Sequence, residues 1–396
     1  MRVVVGGQLD PAEVIGRDVL ASSIWQTLER QSVILSAERR VGKTSLIQKM
    51  RSAPPTDYIT VYRDLEGIKD PLEFALSVHQ DVAQYLSIQN KAGTHLQNFM
   101  NLFGGIQVGT ILKLPDNMHQ RHWKDLLTAT IKDLSEQQER TIIFFWDELP
   151  YMIYDIARTK GEDAAIEILD TLRQLRSHHK KVRMVFTGSI GLHNVVTSLK
   201  KKGYANHPTN DMKSVDVPNL APEYAQQLAK KLLEGEGVNT DDLISTAGTI
   251  ATVCDGNAFY IQFVVERLAR TDEQTSSVTV LSLIEECLTD PQDGWHMRHY
   301  RERIDTYYTD NEDRQFALAI LDIVASSVKP IHFAHLFNNL KVKIVTEDEE
   351  RARDVIVLLQ RDHYLRQEKD GGFRFNFPLI QRSWRLQRGL IIQEAL

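Results

Sequence analysis

One short loop between a strand and a helix constrains this chain more than any other feature. The apolar run Val33-Ile34-Leu35 predicts a buried strand, and a four-residue gap after Ala37 precedes Gly42-Lys43-Thr44, the spacing of a phosphate-binding (Walker A) loop. In such a loop, backbone N–H groups and a helix N-terminus surround a β-phosphate, Lys43 reaches the β- and γ-oxygens, and the Thr44 hydroxyl coordinates Mg²⁺. The residues predicted to bind a nucleotide here are Ala37, Glu38, Arg39, Arg40, Val41, Gly42, Lys43, Thr44 and Ser45.

Ala37 departs from the usual loop, in which a glycine stands at this position. Alanine fits the loop only if its φ stays negative, because its Cβ is disfavoured in the left-handed region. Taken alone, the motif has an alternative reading as a chance Gly-Lys-Thr on an ordinary strand-to-helix turn.

A second group of chemically informative residues follows a fully apolar segment. Residues Thr141 to Trp146 predict a buried strand that ends in Asp147 and Glu148. Two carboxylates at the rim of a buried sheet lose hydration unless a cation or a hydrogen-bond donor compensates them. Mg²⁺ would supply this compensation. We therefore expect Asp147 to hold the metal and Glu148 to activate water, two roles that nucleotide hydrolysis requires. The alternative is that the pair caps the next helix.

Polar residues also follow the next predicted strand, Val182 to Phe186. Ser189 and Thr187 are candidates for sensing the γ-phosphate or the attacking water, and helix capping by Ser189 is the alternative. A basic group precedes that strand. It either supplies an arginine finger to a neighbouring molecule or forms a solvated helix end, which is the simpler interpretation. Its members are Arg173, Arg176, His178, His179, Lys180, Lys181 and Arg183.

Composition fits a multi-domain globular protein. The 396 residues predict two or three domains, with 42% hydrophobic and 25% charged residues. A formal charge of −6 gives no global electrostatic reason to bind nucleic acid. The two cysteines have no metal-ligand spacing, no signal sequence is evident, and no apolar run has membrane-spanning length. We expect a cytoplasmic protein with no membrane association.

The remainder of the chain predicts mainly helices. Glycines and alternation in Phe103–Pro115 suggest a hairpin or bulged insert, and residues 292–303 suggest an amphipathic linker helix. Three helices, at 314–326, 331–340 and about 347–361, precede two strands around Asp370-Gly371-Gly372. This order fits a winged helix.

Together these motifs resemble the archaeal-type branch of the STAND ATPases, which are relatives of AAA+ proteins. The segments that carry the resemblance are Ile15-Gly16-Arg17, Arg39 to Ser45, Trp146-Asp147-Glu148, Phe186 to Ser189, Val215 to Leu220 and Val253 to Gln262. The resemblance implies that Gly16 and Arg17 lie on the adenine side. It also implies a helical lid, whose family Gly-x-Pro motif here has Ala258 in place of proline, and a C-terminal winged helix.

These observations lead to one prediction for the fold and three for the function. We predict an α/β P-loop NTPase core with a parallel sheet (1–215), a helical lid and linker (216–309) and a winged-helix domain (310–396). The first predicted function is that of a slow, regulatory ATPase that binds ATP and Mg²⁺ and acts as a molecular switch. Its nucleotide state would control domain arrangement, oligomerisation or partner binding. Its predicted catalytic residues are Glu148, Lys43 and Ser189, its metal-binding residues are Thr44 and Asp147, and its partner is a protein or a second copy. The alternatives are a DNA-binding AAA+ ATPase similar to origin-recognition initiators or transposition regulators, and an ATP-stabilised scaffold with little turnover.

Overall fold

The computed structural model describes residues 1–86, 116–201, 203–271, 273–308 and 310–392, with the side chains of 116–122 outside that description. The predicted insert at 103–115 therefore lies outside the described residues. The chain divides into two units. The sheet unit consists of Asp18–Ser36 and Leu46–Asp216, and the loop unit consists of Met1–Arg17, Ala37–Ser45 and Val217–Leu396.

The sheet unit is built on five parallel strands in the order β2-β3-β4-β1-β5. The strands are β1 (Val33–Ser36), β2 (Tyr58–Asp64), β3 (Thr141–Asp147), β4 (Val182–Phe186) and β5 (Lys213–Asp216). Strand β3 lies between β2 and β4, and its residues from Ile142 to Trp146 are fully buried. This continuous apolar run is typical of a strand covered on both faces. Because all strands run the same way, their carboxyl ends share one edge of the sheet.

Seven of the described helices belong to this part of the chain, and the second of them begins at Lys43 in the loop unit and continues into the sheet unit. They are α1 (Asp18–Leu28), α2 (Lys43–Ser52), α3 (Pro71–Val82), α4 (Asp116–Gln137), α5 (Leu149–Lys160), α6 (Glu162–His178) and α7 (Leu192–Lys201). Helix α3 starts where Asp70 accepts a hydrogen bond from Leu72 N and Pro71 occupies the first turn. The alternation of strands and helices confirms the predicted α/β class with a parallel sheet.

The basic group near the end of α6 is not simply a solvated helix end, and that prediction is wrong for two of its members. Arg176 is buried and donates to both carboxylate oxygens of Asp211, at 2.7 and 2.9 Å, and to Pro208 O at 2.6 Å. Arg183 donates to Leu28 O at 3.0 Å. The countercharge for Arg176 lies 35 residues further along the chain, where helix periodicity gives no signal. Both arginines therefore stabilise the sheet unit internally.

The loop unit is mainly helical. Its helices are α8 (Pro222–Glu236), α9 (Leu243–Val253), α10 (Ala258–Leu268), α11 (Ser277–Thr289), α12 (His299–Tyr307), α13 (Asn311–Ser326), α14 (Phe333–Ile344), α15 (Glu349–Arg361) and α16 (Pro378–Arg388). Strands β6 (Leu365–Gln367) and β7 (Phe373–Phe375) form an antiparallel hairpin, and Ile331 bridges to Phe373. A single hydrophobic core includes side chains from Leu220 to Trp384.

The predicted linker helix over 292–303 is wrong in its first half, because α12 begins only at His299. Asp293 and His296 have φ values of 50° and 54°, in the left-handed region that interrupts a helix. The Asp293 carboxylate accepts hydrogen bonds from Met297 N and Arg298 N. Trp295 is buried by stacking on the Tyr260 ring at 5.6 Å, so this segment is a packed turn of the core.

Across the described ranges of the chain, we find no helix with both the length and the apolar character needed to cross a membrane.

Candidate functional site

The predicted phosphate loop follows β1 directly, and helix α2 begins at Lys43. Its positive φ values occur at Arg40 (65°) and Gly42 (95°), and Ala37 is not among the described residues with positive φ. The condition on which Ala37 fits the loop is thus met. The Lys43 ammonium donates to Ala37 O at 3.0 Å and to Glu38 O at 3.1 Å, so the lysine folds back over the start of the loop. Such a loop at a helix N-terminus presents inward-turned N–H groups suited to an anion.

Arg17 connects the loop to the start of the helical part of the loop unit. Its side chain is buried and donates to Val41 O at 2.9 Å and to Pro218 O at 2.8 Å. Burial lowers the pKa of Arg17 to about 10, which leaves the guanidinium charged at neutral pH. At the neighbouring Gly16, with φ of 69°, a Cβ would lie 2.6 Å from the Tyr224 ring. The structure therefore places Arg17 against the loop at Val41 and against Pro218, and Gly16 against Tyr224.

A small cavity lies beside the loop within the same unit. Its volume is about 40 Å³, below the range of roughly 300 Å³ and above that is usual for ligand pockets. The residues around it are largely apolar and include Val14, Ile15, Arg17, Val41, Leu220 and Ala258. Apolar walls next to a phosphate loop suit a planar base, but a base requires more room than this arrangement gives.

The turn between α9 and α10, which we call the lid turn (Cys254–Asn257), directly precedes Ala258, one of the residues that line the cavity. Asp255 and Gly256 have φ values of 52° and 68°, and Gly256 O accepts a hydrogen bond from Leu220 N at 2.9 Å. The Asn257 side chain caps α10. The Asp255 carboxylate accepts from Leu379 N in α16 at 2.7 Å, and burial raises its pKa to about 6. The lid turn thus depends on Gly256 and is tied to the C-terminal helices.

Sequence reasoning did not find the buried ion pair between Glu38 of the loop and Arg303 of α12. Glu38 Oε1 accepts from Arg303 Nη1 at 3.1 Å and from Arg39 N at 2.9 Å, and the residue is only 2% exposed. Arg303 Nη2 also lies 3.9 Å from the Asp362 carboxylate, which accepts from the Tyr308 hydroxyl at 2.9 Å. Because 265 residues separate Glu38 from Arg303, no local spacing could have shown the pair.

The charges in this cluster act on one another in a buried setting. Burial raises the pKa of the Glu38 carboxyl, while Arg303, the Arg39 amide and Lys43 oppose that rise. Burial would lower the pKa of Arg303, but Tyr364, Glu38 and Asp362 outweigh it and raise that pKa. The Arg303 guanidinium stays protonated at any accessible pH and donates directly to Glu38, so the two side chains form an ionised pair.

A further loop residue, Arg40, is held by aromatic side chains. Its guanidinium lies 4.1 Å from the centroid of the Phe259 ring, and its Nη1 donates to Trp295 O at 3.4 Å. The left-handed backbone at Arg40 and these two contacts orient the side chain toward α10. Two of the predicted nucleotide-binding residues, Glu38 and Arg40, therefore use their side chains to anchor the loop.

In the sheet unit, the predicted carboxylates lie at the carboxyl end of β3. Asp147 is the last residue of the strand and pairs in register with Asp64 of β2. Glu148 has φ of 55°, and its amide donates to Asp147 Oδ1 at 3.1 Å. This left-handed residue separates the end of β3 from the start of α5 at Leu149.

Glu148 and Ser189, two of the three predicted catalytic residues, are in direct contact. The Ser189 amide donates to Glu148 Oε1 at 2.8 Å, and the Ser189 hydroxyl donates to Oε2 at 2.9 Å. A Cβ at Gly188 would lie 2.9 Å from Pro150, so the approach of the two segments requires glycine there. Thr187, by contrast, is buried, and its backbone bonds to Trp146 O and Leu149 N. The structure thus favours Ser189 over Thr187 as the residue next to the candidate base.

Among solved structures with this fold are two nucleotide-associated proteins. The Walker-type ATPase PABY2304 of Pyrococcus abyssi has a TM-score of 0.61 at 15% identity, covering 96% of this chain and 99% of that protein. The ORC2 protein of Aeropyrum pernix, solved as ADPNP-ADP complexes, has a TM-score of 0.53 at 13% identity, covering 96% and 97%. No protein-family model and no curated protein match the sequence. The similarity shows that this chain has the P-loop ATPase fold of these structures.

The lid turn gives the first testable prediction. Gly256→Ala would place a Cβ against the Leu220 carbonyl oxygen, whereas at Gly237, with nearly the same φ, a Cβ would meet nothing within 4 Å. We expect Gly237→Ala to cost about 1 kcal/mol from left-handed strain, and Gly256→Ala to cost at least about 2 kcal/mol more because of the overlap. Urea titrations followed by circular dichroism measure both. Equal shifts of the unfolding midpoint would contradict the geometry described for the lid turn.

Proposed function

We propose that this protein is a slow, regulatory ATPase of the STAND type, in which bound nucleotide controls the arrangement of its helical parts. The observation that carries the proposal is the phosphate loop, whose lysine begins α2 and bonds to Ala37 O and Glu38 O. Lys43 would bind the β- and γ-phosphates, and the loop amides would surround them. The sequence motif, the loop conformation and the fold support this interpretation together.

The residues present fit a magnesium nucleotide. Thr44 follows Lys43 in the first turn of α2, and Asp147 supplies a carboxylate at the end of β3. Hydroxyl and carboxylate oxygens are suitable ligands for Mg²⁺, which when bound neutralises phosphate charge. Glu148 would orient and deprotonate the attacking water. Both of its oxygens accept hydrogen bonds from Ser189, which would orient the carboxylate while a remaining lone pair accepts the proton of the water.

Two substitutions separate nucleotide binding from hydrolysis. We expect Lys43→Ala to lower ATP affinity by about tenfold or more, because a direct charge-assisted contact to the phosphates is lost. Glu148→Gln should keep ATP affinity and lose about 100-fold or more of the turnover, because the amide cannot accept the water's proton. Calorimetry measures binding, and phosphate release measures turnover. Equal ATP affinity of Lys43→Ala and wild type would remove the phosphate-loop assignment, and undiminished turnover by Glu148→Gln would remove the base assignment.

The switch part of the proposal is based on the lid turn and the small cavity. A base needs more room than about 40 Å³, so its binding beside the loop requires the surrounding segments to move. The lid turn is bonded to Leu220 N and Leu379 N, and its movement would reach α16. ATP would favour one arrangement through its differential contacts with the two states.

Hydrogen exchange tests this switch against a static scaffold. We expect an ATP analogue to change amide protection around Gly256 and Pro218, with ADP producing a smaller change, because only the triphosphate engages the full loop. The Lys43→Ala variant serves as a control in which nucleotide binding is weakened. Identical exchange in apo, ADP and ATP-analogue samples of a protein that binds ATP would favour the ATP-stabilised scaffold.

The helices α13, α14 and α15 with the β6–β7 hairpin are interpreted here as a winged helix that contacts protein. Most of their arginines have intramolecular partners, whereas Arg361 has none among the described residues. Arg351 in α15 binds the carboxylates of Asp310, at 2.8 Å, Asp313, at 2.9 Å, and Glu312. Arg353 packs over the Phe333 ring at 3.9 Å. Residues that would have to contact phosphate or base edges are thus used to hold α15 in place.

Two of the three α16 arginines show the same pattern, and Arg385 has no side-chain partner among the described residues. Arg388 pairs with Asp322, with Nη2 at 2.8 Å from Oδ2, and Arg382 pairs with Glu285. DNA binding remains the second candidate function, because the predicted order of P-loop core, helical lid and winged helix is similar to that of origin-recognition initiators. The engagement of these arginines and the acidic start of α15, Glu349 and Glu350, favour a protein partner or a second copy.

Anisotropy titrations of the full-length protein with labelled duplexes distinguish these functions. We expect weak binding that is independent of sequence and decreases steeply as salt rises, because only rim cations are available for phosphates. ATP should not convert it to selective binding. Tight, sequence-selective binding that survives physiological salt would favour the DNA-binding alternative.

A further inference from the structure

An acidic side chain in a phosphate loop is electrostatically unfavourable. Glu38 is the second residue of the loop, and its carbonyl oxygen accepts from the lysine that would bind phosphate. An uncompensated carboxylate there would repel the phosphates of a nucleotide, because like charges that solvent screens poorly repel each other strongly. The loop can bind an anion well only if another group neutralises Glu38.

The structure supplies that group from α12. Arg303 Nη1 donates to Glu38 Oε1 at 3.1 Å, and no described residue donates to Glu38 Oε2. Two other cations lie nearby. Lys43 acts on Glu38 through space but donates its hydrogen bonds to loop carbonyls, and Arg40 packs on Phe259. Because the Arg303 side chain is only 11% exposed and that of Glu38 only 1%, the pair is little screened by solvent.

We propose that Arg303 is a positioning residue for nucleotide binding, which neutralises Glu38 and thereby holds the phosphate loop in its anion-binding form. This inference rests on the proposed ATP-binding function and assigns part of its regulation to α12. Arg303 fixes the Glu38 side chain, and the Ala37 and Glu38 carbonyls in turn hold Lys43. The Asp362 carboxylate at the end of α15 approaches the same guanidinium at 3.9 Å. A displacement of α15 that drew Arg303 toward Asp362 would weaken nucleotide binding.

If Arg303 acts by neutralising charge, the two single variants should change ATPγS binding in opposite directions. If the pair is only structural, both variants should weaken binding, and this difference is the test. We expect Arg303→Gln to bind ATPγS about tenfold or more weakly, because Glu38 is left as an unpaired negative charge beside the phosphates. Glu38→Gln should bind about threefold or more tightly, because the repelling charge is gone while Arg303 remains. The double variant Glu38→Gln/Arg303→Gln should return to within about threefold of wild type. Calorimetry on the full-length protein at two salt concentrations measures each dissociation constant.

The matched control is Arg301→Gln, on the same helix, whose side chain pairs with Asp305 instead of the loop. It should bind ATPγS as wild type does. A purely structural role for the Glu38–Arg303 pair predicts that both single variants weaken binding, and that outcome overturns the proposal. Arg303→Gln behaving like Arg301→Gln also overturns it.

Two further results keep the outcomes distinct. If wild type and Lys43→Ala bind ATPγS equally, the proposed function fails, and the positioning role fails with it. If Lys43→Ala loses binding but Arg303→Gln does not, only the positioning role fails. Should Arg303→Gln not fold, Glu38→Gln decides alone, because weaker ATPγS binding by that variant contradicts the proposal.

Discussion

A parallel sheet delivers the ends of all its strands to one edge, and the chemistry proposed for this protein depends on that constraint. β3 can be apolar over its whole length because both faces are covered, so its first carboxylates occur where the strand ends. The phosphate loop starts at the residue after β1, and Ser189 is the third residue after β4. Ala37, Asp147 and Ser189 therefore lie at the ends of strands, where polar groups can be tolerated. Burial decides their location as much as catalysis does.

Buried charges are the second constraint, and the chain meets it with partners distant in sequence. Glu38 with Arg303, Arg176 with Asp211, and Arg388 with Asp322 each place an arginine against a carboxylate. Breaking one such pair costs about 3–5 kcal/mol when both charges are buried. Arginine suits these positions because its planar fork satisfies several acceptors at once. The Glu38–Arg303 and Arg388–Asp322 pairs lie within the loop unit, and the Arg176–Asp211 pair lies within the sheet unit.

The sequence predicted whatever is encoded locally. The apolar run before Asp147 and Glu148 predicted β3 and its end, and the glycine in Asp370-Gly371-Gly372 predicted the hairpin. The failures occurred where distant contacts override local pattern. Residues 292–298 have helix-compatible composition, yet Trp295 packs on Tyr260 and a left-handed Asp293 interrupts the helix. Likewise, the basic pattern of α6 cannot reveal that Asp211 will bury Arg176. The sequence predicted that the strands before Glu148 and Ser189 are neighbours, but it did not predict the hydrogen bonds between these two residues.

Two links connect the nucleotide-proximal segments of the loop unit with its C-terminal helices. One runs from Glu38 through Arg303 to Asp362, and the other runs from Asp255 to Leu379 N. A hydrogen bond contributes about 1 kcal/mol net, and bonds to charged groups contribute about 1.5–3 kcal/mol. If nucleotide binds as proposed, the two links would transmit only a few kcal/mol to the C-terminal helices, which is the usual scale of about 1–3 kcal/mol for coupled sites. Such coupling shifts a partner's affinity by about 5- to 150-fold, and a switch of this size works best when the two arrangements are already close in free energy. Marginal balance between arrangements, rather than tight nucleotide binding, is thus the property that this architecture requires to act as a switch.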